Sequence, residues 1–357
     1  MKKKQLILSL IVLVALAALG VYAQHKHPFH WHTFVQQFAL ADWRRIGIAA
    51  GCIYLAYIFR SVRWALLLKP NKKVGPLSLL GTQVIGFTAV ALIGRIADLV
   101  RPYLVARKTG LPVSTQIAVY IVERLFDAGS MALIFSSVIL LAPAGALPHP
   151  ELFRKFGYGG LAGTVLGALF LVAVRLAGGV VASFFEGAFG VVSKRLGHAV
   201  GAKIRSFRTG LNTLRSPADF AVTLTLSLAM WGLITMAYVE GTTAFVSGDQ
   251  RASVTLAKCM VLMVGGGVAS IVQLPVLGWF TQIAALEEIL RNLFTLSPET
   301  STACAATLLL ITFLGIVPVG LIWAHFEHVS LRKVAVESER AGEQLAVDDE
   351  ADEDDAL

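Results

Sequence analysis

The feature that most constrains this chain is a succession of apolar runs, most of them long enough to cross a bilayer and nearly free of charge, at about 6–21, 46–68, 77–92, 113–141, 158–182, 220–246, 253–294 and 302–324. About twenty such residues in a helix span the ~30 Å hydrocarbon core. Between the runs no stretch is long enough for a soluble domain. Of the 357 residues, 56% are hydrophobic and 15% charged, against roughly 45–50% and 25% in soluble domains. A soluble globular enzyme and a disordered chain are both excluded. Backbone groups in lipid must be satisfied within each segment, so the expected fold is an all-α polytopic integral membrane protein.

Charge is distributed unevenly. The net value is +8, yet residues 337–357 hold ten acids and one base, leaving 30 bases against 13 acids in the preceding 336 residues. Lys and Arg in excess mark cytoplasmic loops and contact with anionic headgroups. Nucleic acid is a poor partner, because there is no soluble basic domain to hold it. Residues 1–330 read as a transmembrane domain, and 331–357 as a disordered acidic cytoplasmic tail. Cys52, Cys259 and Cys304 lie in apolar runs without metal or disulfide spacing. His25, His27, His30 and His32 have no Cys or carboxylate to complete a metal site and read as an external loop. No metal or cofactor is expected. Met1-Lys2-Lys3-Lys4 opens either a cleaved signal ending near Val21-Tyr22-Ala23 or an uncleaved anchor; the anchor suits a polytopic chain.

Two segments resist reading as simple spans. If residues 77–94 crossed fully, Arg95, Arg101, Arg107 and Lys108 would sit outside, against the positive-inside rule. A re-entrant hairpin turning near Gly94 removes the conflict. The segment from about Ser253 to Phe294 is broken by Gly265-Gly266-Gly267, Pro275 and Gly278, and predicts a second hairpin from the opposite face. The result is about six full spans plus two broken hairpins, with both termini cytoplasmic. Opposed, interrupted segments point to an inverted repeat with a transport site at the midplane, although the two halves show no residue-level repeat. Between Lys194 and Arg215, six Lys or Arg and no acid accompany Leu196, Val200, Ile204, Phe207, Leu211 and Leu214. That spacing predicts a basic amphipathic helix on the anionic inner leaflet.

Ionisable residues concentrate between positions 60 and 127: Arg60, Arg63, Arg95, Asp98, Arg101, Glu123, Arg124 and Asp127. Each costs roughly 2.5–3.5 kcal/mol at the bilayer centre on insertion scales. Glu123 and Asp127, four apart, share a helix face. The cluster reads either as an internal ion-pair network or as a cationic cavity for a phosphate, which the planar arginine fork binds bidentately. Five bases against three acids leave positive charge over.

Arg60-Ser61-Val62-Arg63-Trp64-Ala65-Leu66-Leu67-Leu68 resembles an R-x-x-RW-x-x-LL pattern. Gly86-Phe87 with Gly94-Arg95-Ile96-Ala97-Asp98-Leu99-Val100-Arg101 resembles GF…P-x-R-x-GE-x-x-R, and Glu123-Arg124-Leu125-Phe126-Asp127 resembles ER-x-x-D. In order and spacing these resemble the lysylphosphatidylglycerol synthetase-like transmembrane family, which includes the flippase half of the multiple peptide resistance factor. The resemblance covers about residues 5–330. It implies a transporter moving a phospholipid or lipid-linked precursor between the leaflets of a bacterial or archaeal cytoplasmic membrane. Arg60, Arg63, Arg95, Arg101 and Arg124 would hold the headgroup phosphate, with Asp98, Glu123 and Asp127 orienting them. Anionic inner-leaflet lipids and further copies of the chain are the other partners considered.

Several positions depart from the pattern. Gly94 stands where the family has proline, and Ala97-Asp98 where it has Gly-Glu. A second-half P-G-G-x-G-x-x-E is reduced to Pro275 and Gly278, with Glu287 and Glu288 as candidates for the lost carboxylate. The family's aminoacyl transfer resides in a soluble domain that the roughly 30 polar residues after 325 cannot form, so the chain is expected not to be an enzyme. The alternatives are an integral-membrane transferase acting on a polyprenyl-phosphate or other phospholipid, and a scaffold for envelope enzymes.

Overall fold

A computed structural model describes residues 29–143, 145–211, 216–270 and 277–341. The first apolar run, His25, His27 and the acidic residues 342–357 lie outside these. The described residues form helices and no strand. A short helix α1 (Trp31–Leu40) leads into α2 (Trp43–Leu68), and α3 (Pro76–Ile93) passes through a 3₁₀ turn (Arg95–Leu99) into α4 (Val100–Thr109). Then come α5 (Val113–Leu141), α6 (Pro150–Gly190), α7 (Lys194–Leu211) and α8 (Pro217–Thr243). Helices α9 (Leu256–Ala269) and α10 (Leu277–Phe294) precede α11 (Pro298–Leu309), which runs through a π turn (Leu310–Leu314) into α12 (Ile316–Phe326).

Among the described residues, six helices are long and apolar enough to cross a membrane: α2, α3, α5, α6, α8 and the joined α11–α12. The first expected span falls outside the described residues. In its place α3, expected as a hairpin arm, is itself of spanning length. The chain nevertheless turns back after it. Gly94 adopts φ 96°, ψ −169°, a region open essentially to glycine alone. The end of α4 returns to the level of the segment before α3, where Lys72 Nζ donates to the Thr109 carbonyl at 2.6 Å.

The second hairpin, α9 to α10, starts at the other end of the bundle. Helix α8 ends beside the start of α2, with the Asp42 N–H donating to the Ala244 carbonyl at 2.9 Å. The 26 residues of α2 separate its two ends by about 39 Å. Lys258, at the start of α9, lies 5.3 Å over the ring of Phe294 at the end of α10. Both arms of each hairpin thus open toward one end of the bundle, and the two ends are opposite. The tips meet where Trp279 Nε1 donates to the Ala91 carbonyl at 3.3 Å.

Local chemistry sets the helix starts. Ser216 and Asp219 form a reciprocal capping box on α8, with Pro217 in the first turn; Thr255 and Ser297 cap α9 and α11. Each satisfies amide groups that would otherwise lie unpaired. Ala49 and Ala237, both fully buried, let α2 and α8 approach closely, as small residues do in membrane bundles.

Two expectations change. The acidic tail was expected to be disordered from 331, but residues 331–341 are helical, with Val334 and Ala335 buried against Val100 and Leu104. The apolar face of this segment outweighs its charge. Helix α7 forms as the spacing predicts, over Lys194–Leu211, but Val200 and Ile204 pack against protein, beside Val174 and Ala182. The reason is α6, whose 41 residues break at Ala177. Its second stretch gives α7 a surface to fold back on, fastened by Glu186 to His198 at 2.7 Å and to Arg205 at 3.0 Å.

Candidate functional site

The charged residues assemble where α2, α4 and α5 meet. Glu123 and Asp127 project from one face of α5 toward Arg63. Arg63 Nη2 meets Glu123 Oε1 and Nη1 meets Asp127 Oδ1, both at 2.7 Å. Nη1 also donates to Ser227 Oγ on α8 at 2.7 Å. Both the Arg63 and the Glu123 side chains are only 1% exposed. Breaking such a pair leaves a bare buried charge, which is costly.

Arg101 joins from α4. It meets Glu123 Oε2 at 3.2 Å and donates to Gln83 Oε1 at 3.1 Å. Its guanidinium lies over Trp64, Phe87 and Tyr120, at 5.2, 4.5 and 5.1 Å from the ring centroids. The approach depends on Gly86, because a Cβ there would overlap the Arg101 side chain. The Gly86-Phe87 pair thus has a physical meaning: the glycine admits the arginine, and the ring stacks on it.

Two arginines are less enclosed. Arg124 meets Asp127 Oδ2 at 3.2 Å and Glu123 Oε2 at 3.8 Å while remaining 41% exposed. Arg60 lies 4.6 Å over the Phe87 ring, and among the described residues no carboxylate comes within ion-pair distance of it. Both line a cavity of about 270 Å³, as does Asp98 from the 3₁₀ turn. Tyr57, Trp231 and Tyr238 supply part of its wall, as do Thr312, in the π turn, and Gly267, Ser270 and Gln282, from the second hairpin. Gln282 Nε2 donates to the Gly266 carbonyl at 3.2 Å.

A family model described as the lysylphosphatidylglycerol synthase transmembrane region matches residues 6–320. The chain belongs to that family. No curated protein and no solved structure matches it.

Within this family member the sequence-selected residues divide. Arg63, Arg101, Glu123 and Asp127 form the closed network, whereas Arg60, Asp98 and Arg124 face the cavity. Arg95 opens the 3₁₀ turn, and its side chain lies outside the described positions, as does Pro275. Gly278 is buried near the start of α10. Glu287 and Glu288 pair with Arg291 at 3.5 and 3.9 Å and are absent from the cavity wall. They do not replace a lost carboxylate. Sequence reasoning missed Gln282. The signal was spacing: the resembled P-G-G-x-G-x-x-E, counted from Pro275, ends on Gln282. The proline of the family pattern is incompatible with the positive φ of Gly94, so this chain turns its first hairpin by glycine.

Proposed function

We propose that this protein moves a phosphate-bearing lipid between leaflets, taking the headgroup into the cavity where the hairpin tips meet. The observation that carries the reading is Arg60 on that cavity, with no carboxylate in ion-pair distance among the described residues, beside a partly exposed Arg124. A cation at this depth needs an anion or water, and a transported phosphate supplies the anion transiently. Arg63 and Arg101, held in the closed network, position the cavity-facing residues without touching the headgroup. The Lys and Arg excess at the end bearing Lys72, Arg107 and Lys108 supports placing that end, and the mouth of the first hairpin, at the cytoplasmic face. The membrane is then the cytoplasmic membrane, and the first hairpin is re-entrant.

The test is leaflet exchange of labelled phospholipids by the purified protein in liposomes. The native protein should exceed empty vesicles. Arg60→Gln should slow exchange about ten- to a hundredfold, the loss of one charge-assisted bond, without lowering thermal stability. Exchange no faster than in empty vesicles overturns the reading, and transfer of label to a new product favours the transferase. A cysteine at Lys108 should react with impermeant thiol reagents from the cytoplasmic side only; labelling from outside overturns the orientation.

A further inference from the structure

We infer that the cavity selects a headgroup of net negative charge over a zwitterionic one, and that the absence of charge at position 282, where Gln282 stands, maintains this selectivity; the inference rests on the lipid-moving reading above.

The second hairpin is electrically silent. From Cys259 to Leu286 the sequence contains no Asp, Glu, Lys, Arg or His. The charges on the cavity come from elsewhere: Arg60 on α2, Arg124 on α5 and Asp98 on the 3₁₀ turn. Two bases face one acid. The charged residue of the first hairpin tip whose side chain is not described, Arg95, is also a base.

Gln282 brings the side-chain amide of α10 to this wall. Its Nε2 is engaged by the Gly266 carbonyl, which fixes the side chain and leaves Oε1 as an uncharged acceptor. A phosphodiester whose remaining headgroup is neutral and hydroxylated matches such a wall: the arginines take the phosphate, and Gln282 and Ser270 meet hydroxyls. An ammonium on the same headgroup finds a surplus of positive charge, with Asp98 as the acid available among the described lining residues. Glutamate has nearly the shape of glutamine. In place of Gln282 it would equalise acids and bases on the described wall and give an ammonium a partner.

The test uses the full-length protein in phosphatidylcholine vesicles containing trace labelled phosphatidylglycerol or labelled phosphatidylethanolamine. The native protein should exchange the first at least about tenfold faster. Gln282→Glu should lower that ratio on the order of tenfold, as a unit charge across a cavity of this size does at intermediate dielectric. Gln282→Leu, which removes the Gly266 contact without adding charge, should keep the native ratio. Asp98→Asn should widen it, and serves if Gln282→Glu does not fold. Equal native rates, a Gln282→Glu ratio unchanged in folded protein, or a shift in Gln282→Leu matching that of Gln282→Glu each overturn the inference. So does Asp98→Asn leaving the ratio unchanged. Equal native rates leave lipid movement standing, whereas absence of all exchange removes the lipid-moving reading itself.

Discussion

The two hairpins share a geometry and differ in what holds them. In the first, Arg101 ties α4 to α5 through Glu123 and to α3 through Gln83, with three aromatic rings around its guanidinium. In the second, the arms meet mainly through apolar packing, Met260, Met263, Leu286 and Leu290 lying in one buried cluster, with the Gln282–Gly266 hydrogen bond and Lys258 over Phe294 beside it and no ion pair between the arms among the described residues. Charge pairs in a low-dielectric interior are directional and costly to leave half-made, so they favour one arrangement of the first hairpin. Apolar contacts between the arms of the second are individually weak and non-directional. The comparison assigns the first hairpin and its α5 neighbour the role of a fixed, charged wall, and the second that of a neutral wall held more softly.

The largest test of this contrast is Arg63→Ala. It removes the buried arginine that both Glu123 and Asp127 meet at 2.7 Å, leaving them Arg101 and Arg124 at 3.2 Å or more, and should cost about 3 kcal/mol, seen as a large fall in melting temperature in detergent. A small fall would mean that the network is solvated and the contrast is wrong. Next come matched glycines. Gly86→Ala drives a methyl into Arg101 and should cost about 1–3 kcal/mol. Gly267→Ala in α9 meets open space and should be neutral or stabilising by up to about 1 kcal/mol, the usual gain inside a helix. Equal effects would erase the difference between the hairpins. The smallest effect is expected at the tips: Trp279→Phe removes the hydrogen bond to Ala91 and should cost about 0.5–1.5 kcal/mol, measured by the same melting experiment.

Much of this arrangement was legible in the residues. Gly94 and the misplaced bases after it located the turn of the first hairpin, because a bilayer penalises charge and irregular backbone severely enough to leave marks in the sequence; Gly265, Gly266 and Gly267, expected to break the second, lie inside the continuous helix α9. The spacing of Glu123 and Asp127 foretold a shared face, and both carboxylates do meet one arginine. What misled was the assumption that charges close in sequence serve alike. Glu287 and Glu288 looked like replacements for a lost carboxylate, yet helical rotation turns them to Arg291, while Gln282, one to two turns earlier, reaches the cavity. The tail misled in a similar way, its acids obscuring the few apolar side chains that anchor residues 331–341.

By itself the sequence determined that this chain is a helical membrane protein, that its first hairpin turns at Gly94, and that its charges gather between residues 60 and 127. Those properties follow from hydropathy, backbone geometry and the cost of charge in lipid, all of which act locally along the chain. Only the tertiary structure decided which charges are consumed. Arg60 and Arg63 sit three residues apart on one helix, and Arg101 and Arg124 carry the same fork. Yet Arg63 and Arg101 are closed away in buried pairs, whereas Arg60, and Arg124 although it also pairs with Asp127, reach the cavity. That division depends on helix rotation and on which carboxylates arrive from α5, relations between distant segments that no spacing along the chain encodes.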